Sequence, residues 1–369
     1  MTKIVTPSRL FFSILAVILF ISLYILSAKN PLIALFQEVK YLEYIFLALY
    51  MIYSKPKLKN LLLPLICALV FQSFLAILQW TSQSSLNGIF YWFGERSFTP
   101  STPAIALIDL FGTLKLRAYG TFSHPNVLGG FLSFTLTITA FYLSRRFISH
   151  EKKSLVPSII FVAAYILGLL ALITTFSLSA IFSHLLGLIL ISLLVFRKRV
   201  TSQRRLFIIL IFLLLLSISS VLLFLTKFHS PNAIEDQYKR MELNKIALHM
   251  FIDRPLIGAG LSNFIPNLAG YKTSILGNYW WQPAHNIYLL ILSEEGIVGL
   301  IIMLWLLIKI FLIYKQTPSY SPKIIGFILL SQLLFIGLFD HYFLTLQQGQ
   351  LMTVFIISLA FLPQTSYTT

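Results

Sequence analysis

Charge is scarce in this sequence. Asp, Glu, Lys and Arg together make up 11% of its 369 residues, where a soluble domain carries about 25%. Acids are scarcest, 12 against 28 basic residues. Cysteine is all but absent. The one residue, Cys67, lies inside an apolar run, which excludes a disulfide framework or a thiolate metal site within the chain. No polar stretch has the length or caps of an independent soluble domain, and no internal repeat of the transporter kind stands out. What remains is apolar. Hydrophobic residues make up 57% of the chain and the mean hydropathy is +0.85. These values describe an all-α, polytopic membrane protein, with residues 1–369 forming one integral-membrane domain of about ten (ten to twelve) spans.

Apolar runs place the spans at about 10–28, 36–53, 61–80, 126–143, 155–175, 178–196, 206–226, 292–314, 324–340 and 343–362. The first run follows Lys3 and Arg9 and is too long, with too poor a cleavage site, for a signal peptide. The net charge of +16 gathers in short loops, a topology signal rather than a nucleic-acid surface. With the N-terminus in the cytoplasm, one side collects sixteen basic residues, among them Lys57, Arg145, Arg197 and Lys323, against the single acid Glu151. Both termini are therefore expected in the cytoplasm. Two long loops, about 81–124 and 227–285, are then expected on the outer side, where mixed-charge, irregular sequence makes chemistry most plausible. Span two carries Gln37, Glu38, Lys40 and Glu43 in its first half. It reads as an amphipathic lead-in at the interface or as a polar wall of a cavity.

Polar residues that recur beside apolar runs are the candidate site. The first outer loop ends in Arg117-Ala-Tyr-Gly-Thr-Phe-Ser-His-Pro-Asn126, with Pro125 at a helix start and Ser123 or His124 before it as a cap. Arg117 at the bilayer edge suits bidentate phosphate binding. In the second loop, Arg240 opens an amphipathic helical pattern with an apolar stripe at 243, 246, 247 and 250. Gly258-Ala-Gly260 follows no strand and is too short for a dinucleotide fingerprint. Tyr279, Trp280 and Trp281 form an aromatic belt before His285.

His285 and Asn286 stand where the loop re-enters an apolar run. His285 fits a packing role or a general base, and the partner spacings of a zinc site are missing around it. Glu294, nine residues on, lies half a turn off the face of His285 on a continuous helix, with Gly296 as a possible break. Asp340 and His341 form a further ionisable pair at the end of span nine.

Three of these stretches carry a family resemblance. Arg117 to Asn126 matches Arg-x-x-Gly-Thr-Phe-x-x-Pro-Asn. Arg240 to Phe264 contains an arginine followed by Pro-Leu-x-Gly-x-Gly-x-x-x-Phe. His285 to Gly299 matches His-Asn-x-Tyr-Leu with a later Glu-x-Gly-x-x-Gly. In this order, over about residues 40–360, the chain resembles the O-antigen ligase and polymerase superfamily of membrane glycosyltransferases. It departs at Thr175-Phe-Ser-Leu178-Ser, where members commonly have Thr-x-Ser-Arg-Gly. A charge contact to the donor is then missing or supplied elsewhere.

The resemblance implies a GT-C-like fold and a reaction at the outer face of the bacterial inner membrane. There a glycan moves, with inversion, from an undecaprenyl-pyrophosphate carrier to a hydroxyl of a glycan, a lipid core or a protein. No metal or cofactor is implied. His285 would activate the acceptor, while Arg117 and Arg240 would hold the pyrophosphate. Asn126 and Asn286 would line the site, with Glu294, Asp340 and His341 as secondary contributors. A transporter or lipid flippase of polysaccharide export is the competing reading. It predicts ionisable residues at bilayer midplanes, whereas here they gather at the outer rim.

Overall fold

The computed structural model describes residues 24–54, 56–148, 155–195, 231–271, 281–315 and 322–359. The described chain is mostly helical. It divides into two compact units, Met1–Leu47 with Gln237–Lys309, and Ala48–Asp236 with Ile310–Thr369.

The larger unit is a helical bundle built around α4 (Pro125–Ile148). Helices α2 (Leu58–Ser82), α5 (Leu155–Thr174), α6 (Leu178–Val195) and α10 (Pro322–Ile336) pack against it. Helix α4 turns Val127, Leu128, Leu132 and Leu136 fully inward. It also buries hydroxyls, which an apolar interior tolerates only when they are bonded. Thr135 and Thr139 donate back to the carbonyls of Phe131 and Thr135. Ser133 and Thr137 reach across to α6 and α10. Thr137 Oγ1 lies 3.0 Å from His184 Nδ1, and the other ring nitrogen lies 2.9 Å from the hydroxyl of Tyr165 on α5. Gln332 donates to Ser133, Thr137 and the Ser183 carbonyl. Four helices are thus joined by a buried polar network, the usual glue where lipid removes most of the hydrophobic drive between helices.

The smaller unit contains the start of α1 (Pro31–Ser54), most of α7 (Pro231–Asp253), α8 (Phe264–Leu268) and most of α9 (Ile287–Lys315). The expected stripe of α7 is there, with Leu243, Ile246, Ala247 and Met250 at most 2% exposed. In α1, Gln37 and Glu38 are buried, whereas Lys40 is half-buried and Glu43 exposed, so only part of the polar half of span two turns inward.

Among the described residues, three helices are long and apolar enough to cross a membrane, Asn60–Ser82, Pro125–Arg145 and Ile287–Tyr314. Ser158–Thr174, Leu178–Leu194 and Lys323–Ile336 are shorter apolar helices. Most of the expected span 10–28 and all of 206–226 lie outside the described residues, as do Tyr279 and Trp280. Trp281 is half exposed.

Several boundaries differ from the sequence reading. The span expected at 343–362 is two helices, α11 (Tyr342–Thr345) and α12 (Gln347–Leu359), parted by an extended Leu346. The span expected at 324–340 ends at Ile336, and Asp340 follows in a turn closed by bonds back to Leu333 and Ile336. The loop 81–124, expected on the outer side, is not irregular throughout. It holds the short helix α3 (Ile89–Trp92) and a hairpin of β1 (Leu107–Leu110) and β2 (Thr113–Leu116), with Leu107 opposite Leu116 and Leu110 opposite Thr113. Its two-residue turn, Phe111-Gly112, has both φ angles positive, at 55° and 80°. This is the geometry that fits the twist of paired strands, and Asp109 accepts the Gly112 N–H across it.

Candidate functional site

In the larger unit, the first candidate cation is set by the end of the loop 81–124. Arg117 leaves β2 half-buried. Its Nε donates to the Thr175 carbonyl at 2.8 Å and its Nη2 to Asn126 Oδ1 at 2.6 Å. The amide of Asn126 in turn donates to Asp340 Oδ2 at 2.7 Å, and Asp340 Oδ1 accepts the His341 N–H at 3.0 Å. His341 Nδ1 lies 2.6 Å from Thr345 Oγ1. A guanidinium, a carboxamide and a carboxylate therefore form a ladder joining residues 117, 126 and 340. Asn126 and Asp340 are buried. His124 caps α4, its Nδ1 accepting the Asn126 N–H at 3.1 Å.

Behind this ladder stands a rack the sequence reading passed over. Gln72 and Gln79 lie two turns apart on one face of α2. Gln79 Oε1 accepts the N–H groups of Tyr119 and Gly120, and its Nε2 donates to the Gly120 carbonyl and to Glu95. Gln72 holds Thr121 through both backbone and hydroxyl. Glu95, 2% exposed, accepts the N–H groups of Leu86 and Asn87 as well. Two glutamines in a hydrophobic run look like blemishes in sequence. Their seven-residue spacing was the available signal.

Tyr119 is buried on the same rack, and its hydroxyl accepts the Ala106 N–H. Burial raises its phenol above the usual range, against the pull of the Ala106 bond and of the nearby Arg117 and Arg96 charges.

In the smaller unit, His285 is half-buried just ahead of α9. Asn286 caps that helix, its Oδ1 accepting the N–H groups of Tyr288 and Leu289 at 2.9 and 3.0 Å. Arg240 is half-buried on α7. Glu294 turns to the backbone, accepting the Ser262 and Phe264 N–H groups at 3.0 Å each. That carboxylate holds a loop. Helix α9 does break at Gly296, with φ 65° and ψ −162°. The segment Pro255–Gly260 lies along the break and satisfies what it frees. Ala259 and Gly260 donate to the carbonyls of Ser293 and Glu294, and Ile297 and Val298 donate to Pro255 and Leu256. A Cβ on Gly258 would strike the Glu294 backbone, and one on Gly296 would strike Leu256. Gly258 of the second sequence block and Gly296 of the third thus each pack on the other's segment, forming one lock.

The described chain is a helical protein with membrane-type apolar helices and, in its larger unit, a polar ladder carrying the Arg117 guanidinium. The family model described as O-antigen ligase matches residues 163–304, and this match supports assigning the chain to the O-antigen ligase and polymerase family. The matched residues hold the Thr175–Ser179 turn, Arg240, the glycine lock and His285. The Arg117–Asn126 block and Asp340–His341 lie outside them. No curated protein matches the chain.

Proposed function

We propose that this protein transfers a glycan from an undecaprenyl-pyrophosphate carrier to an acceptor hydroxyl, at the outer face of the bacterial inner membrane. The observation that carries this reading is the Arg117–Asn126–Asp340 ladder. It fixes a half-buried guanidinium from two sides at the start of an apolar helix, a setting suited to a phosphate group arriving on a lipid. The family-model match over residues 163–304 supports the reaction class, lipid-linked glycan transfer.

In the reaction, the acceptor oxygen attacks the anomeric carbon, and the bond from that carbon to the carrier's pyrophosphate breaks. The sugar inverts and undecaprenyl pyrophosphate leaves. Arg117 holds the charge that builds on the leaving group, with Arg240 as the second cation. The hydroxyl proton passes to His285, whose two-nitrogen ring suits the task near neutral pH. Asn286 sets the place of His285 by capping the helix that follows, and Glu294 holds the loop beside that helix.

The test is incubation of purified protein with undecaprenyl-pyrophosphate glycan and each acceptor class, with products read by mass. Wild type yields glycosylated acceptor. His285→Ala lowers turnover by about 100-fold or more, and Arg117→Ala does so by a similar factor. Full turnover by His285→Ala across the pH range removes the histidine from the mechanism. A wild type that leaves donor and every acceptor unchanged sinks the transferase reading.

A further inference from the structure

The loop 81–124 carries an exposed apolar tip. In α3 and the residue that follows it, Ile89, Tyr91, Trp92 and Phe93 all face outward, Trp92 with 85% of its surface exposed. Surfaces in water rarely gather large apolar side chains in this way. The tip has a neighbour that locates it. Phe93 meets Phe71 of α2 edge to face, with ring centroids 5.8 Å apart. Phe71 borders the stripe Leu63, Cys67, Val70 and Phe74, which α2 leaves exposed at helical spacing. The tip therefore continues the outward surface of an apolar helix.

Depth along α2 decides whether water or lipid lies against that surface. The helix has 25 residues, about 37 Å at its rise per residue, against a hydrocarbon core of about 30 Å. With α2 crossing the bilayer, at most about 7 Å of its C-terminal end stands clear of the hydrocarbon, and tilt reduces that excess. Gln72 lies ten residues before Ser82, about 15 Å below that end. It holds Thr121 by backbone and hydroxyl, and helical side chains lean towards the N-terminus, which is deeper still. Phe71 is one residue further in. Its contact with Phe93 thus falls about 8 Å or more within the hydrocarbon level.

A non-helical segment at such depth must satisfy its backbone without water. The N–H groups of Phe90, Tyr91, Phe93, Gly94 and Glu95 all reach carbonyls of residues 87–91. The Glu95 carboxylate accepts Leu86 and Asn87 at the neck of the tip. The glutamines of α2 accept Tyr119, Gly120 and Thr121 beside it. Water would serve these N–H groups without side-chain clamps, whereas lipid leaves each open one costly.

We propose that the α3 tip is a re-entrant lipid anchor, which dips beside α2 and clamps the loop 81–124 to the bilayer. Its partner is the leaflet at the C-terminal end of α2. Phe93 lies against acyl chains, while Tyr91 and Trp92, each apolar with one polar group, suit the boundary with the headgroups. The inference goes beyond the transfer reaction and holds whatever the ladder binds.

The test is depth measurement by nitroxide labelling of the full chain, in a Cys67→Ser background, reconstituted into phosphatidylethanolamine–phosphatidylglycerol vesicles. Labels are placed through Trp92→Cys, through Phe74→Cys as the lipid reference and through Ser101→Cys as the water reference. Collision rates are read with oxygen, which concentrates in hydrocarbon, and with a water-soluble nickel chelate. The oxygen-to-nickel ratio at Trp92→Cys is expected to match that at Phe74→Cys and to exceed that at Ser101→Cys by about tenfold or more, because hydrocarbon excludes the polar chelate. Tyr91→Cys repeats the measurement one residue away and is expected to give the same ordering. A ratio at both tip positions that matches Ser101→Cys puts the tip in water and overturns the inference. Shielding of both from either reagent shows a protein cover, a second copy or another chain, and overturns it too. A water-like ratio at Phe74→Cys removes the lipid-facing stripe of α2, and the inference goes with it.

Discussion

Asn126 can serve its ladder in one orientation only. Its oxygen faces the Arg117 guanidinium and its nitrogen faces the Asp340 carboxylate. Replacing the amide by a carboxylate, Asn126→Asp, sets an acceptor against an acceptor at a buried position. The cost expected is about 1–3 kcal/mol, read as a lower midpoint in thermal unfolding, with weaker donor binding. The reciprocal double variant, Asn126→Asp with Asp340→Asn, restores a donor between the two positions and gives Arg117 a charged partner. Its unfolding midpoint is expected to return towards wild type. A double variant that is the sum of its single variants shows that the two side chains are not coupled. Arg117, Asn126 and Asp340 were each legible in sequence as polar residues beside apolar runs. Their union was not, because nothing in a sequence reports which of two distant helix ends meet. Beyond the seven-residue spacing of the two glutamines, Gln72, Gln79 and Glu95 gave little to read, for another reason. They bond mainly to backbone, and a backbone partner leaves no pattern in side-chain types.

At the scale of elements, the glycine lock shows how two separate motifs are one structure. Helix α9 cannot run straight through Gly296, because that residue sits at φ 65°, which side chains with a Cβ adopt only under strain. The carbonyls and N–H groups freed there are taken up by Pro255–Gly260, and Glu294 pins the next turn of that segment. Gly296→Ala adds strain and a backbone overlap with Leu256. It is expected to destabilise the protein by more than about 1 kcal/mol, with a lowered unfolding midpoint in detergent. Glu294→Gln keeps the shape and loses the charge, so a loss smaller than that of Glu294→Ala is expected in the same measurement. An unchanged midpoint for Gly296→Ala would show that α9 straightens without cost. The break was readable, since glycine in an apolar run near acids is a conspicuous weakness. The hairpin was not, because Phe-Gly is a rare choice for a turn that usually takes Asn-Gly or Asp-Gly. The split at Leu346 hid in an apolar run whose composition suits a helix throughout.

At the scale of the whole molecule, burial and charge argue together for a lipid setting. Helix α9 leaves Ile301, Leu304, Trp305 and Ile308 about half exposed, a surface soluble proteins avoid. The basic residues give an expectation for the side of the membrane on which each loop lies, and the single cysteine makes it testable. Cys67 is itself exposed on an apolar helix, so a Cys67→Ser background leaves no thiol in the chain. In that background, Ser101→Cys places a thiol at an exposed position of the loop expected outside, and Lys57→Cys places one at an exposed position of the loop expected inside. A membrane-impermeant maleimide added to intact spheroplasts is expected to label Ser101→Cys and to spare Lys57→Cys. Lysed membranes should then label both. The reverse pattern would put Arg117 and its rack on the cytoplasmic side, away from the outer-face donor proposed above. The transferase reading would then lose its substrate, and the ladder would need another ligand.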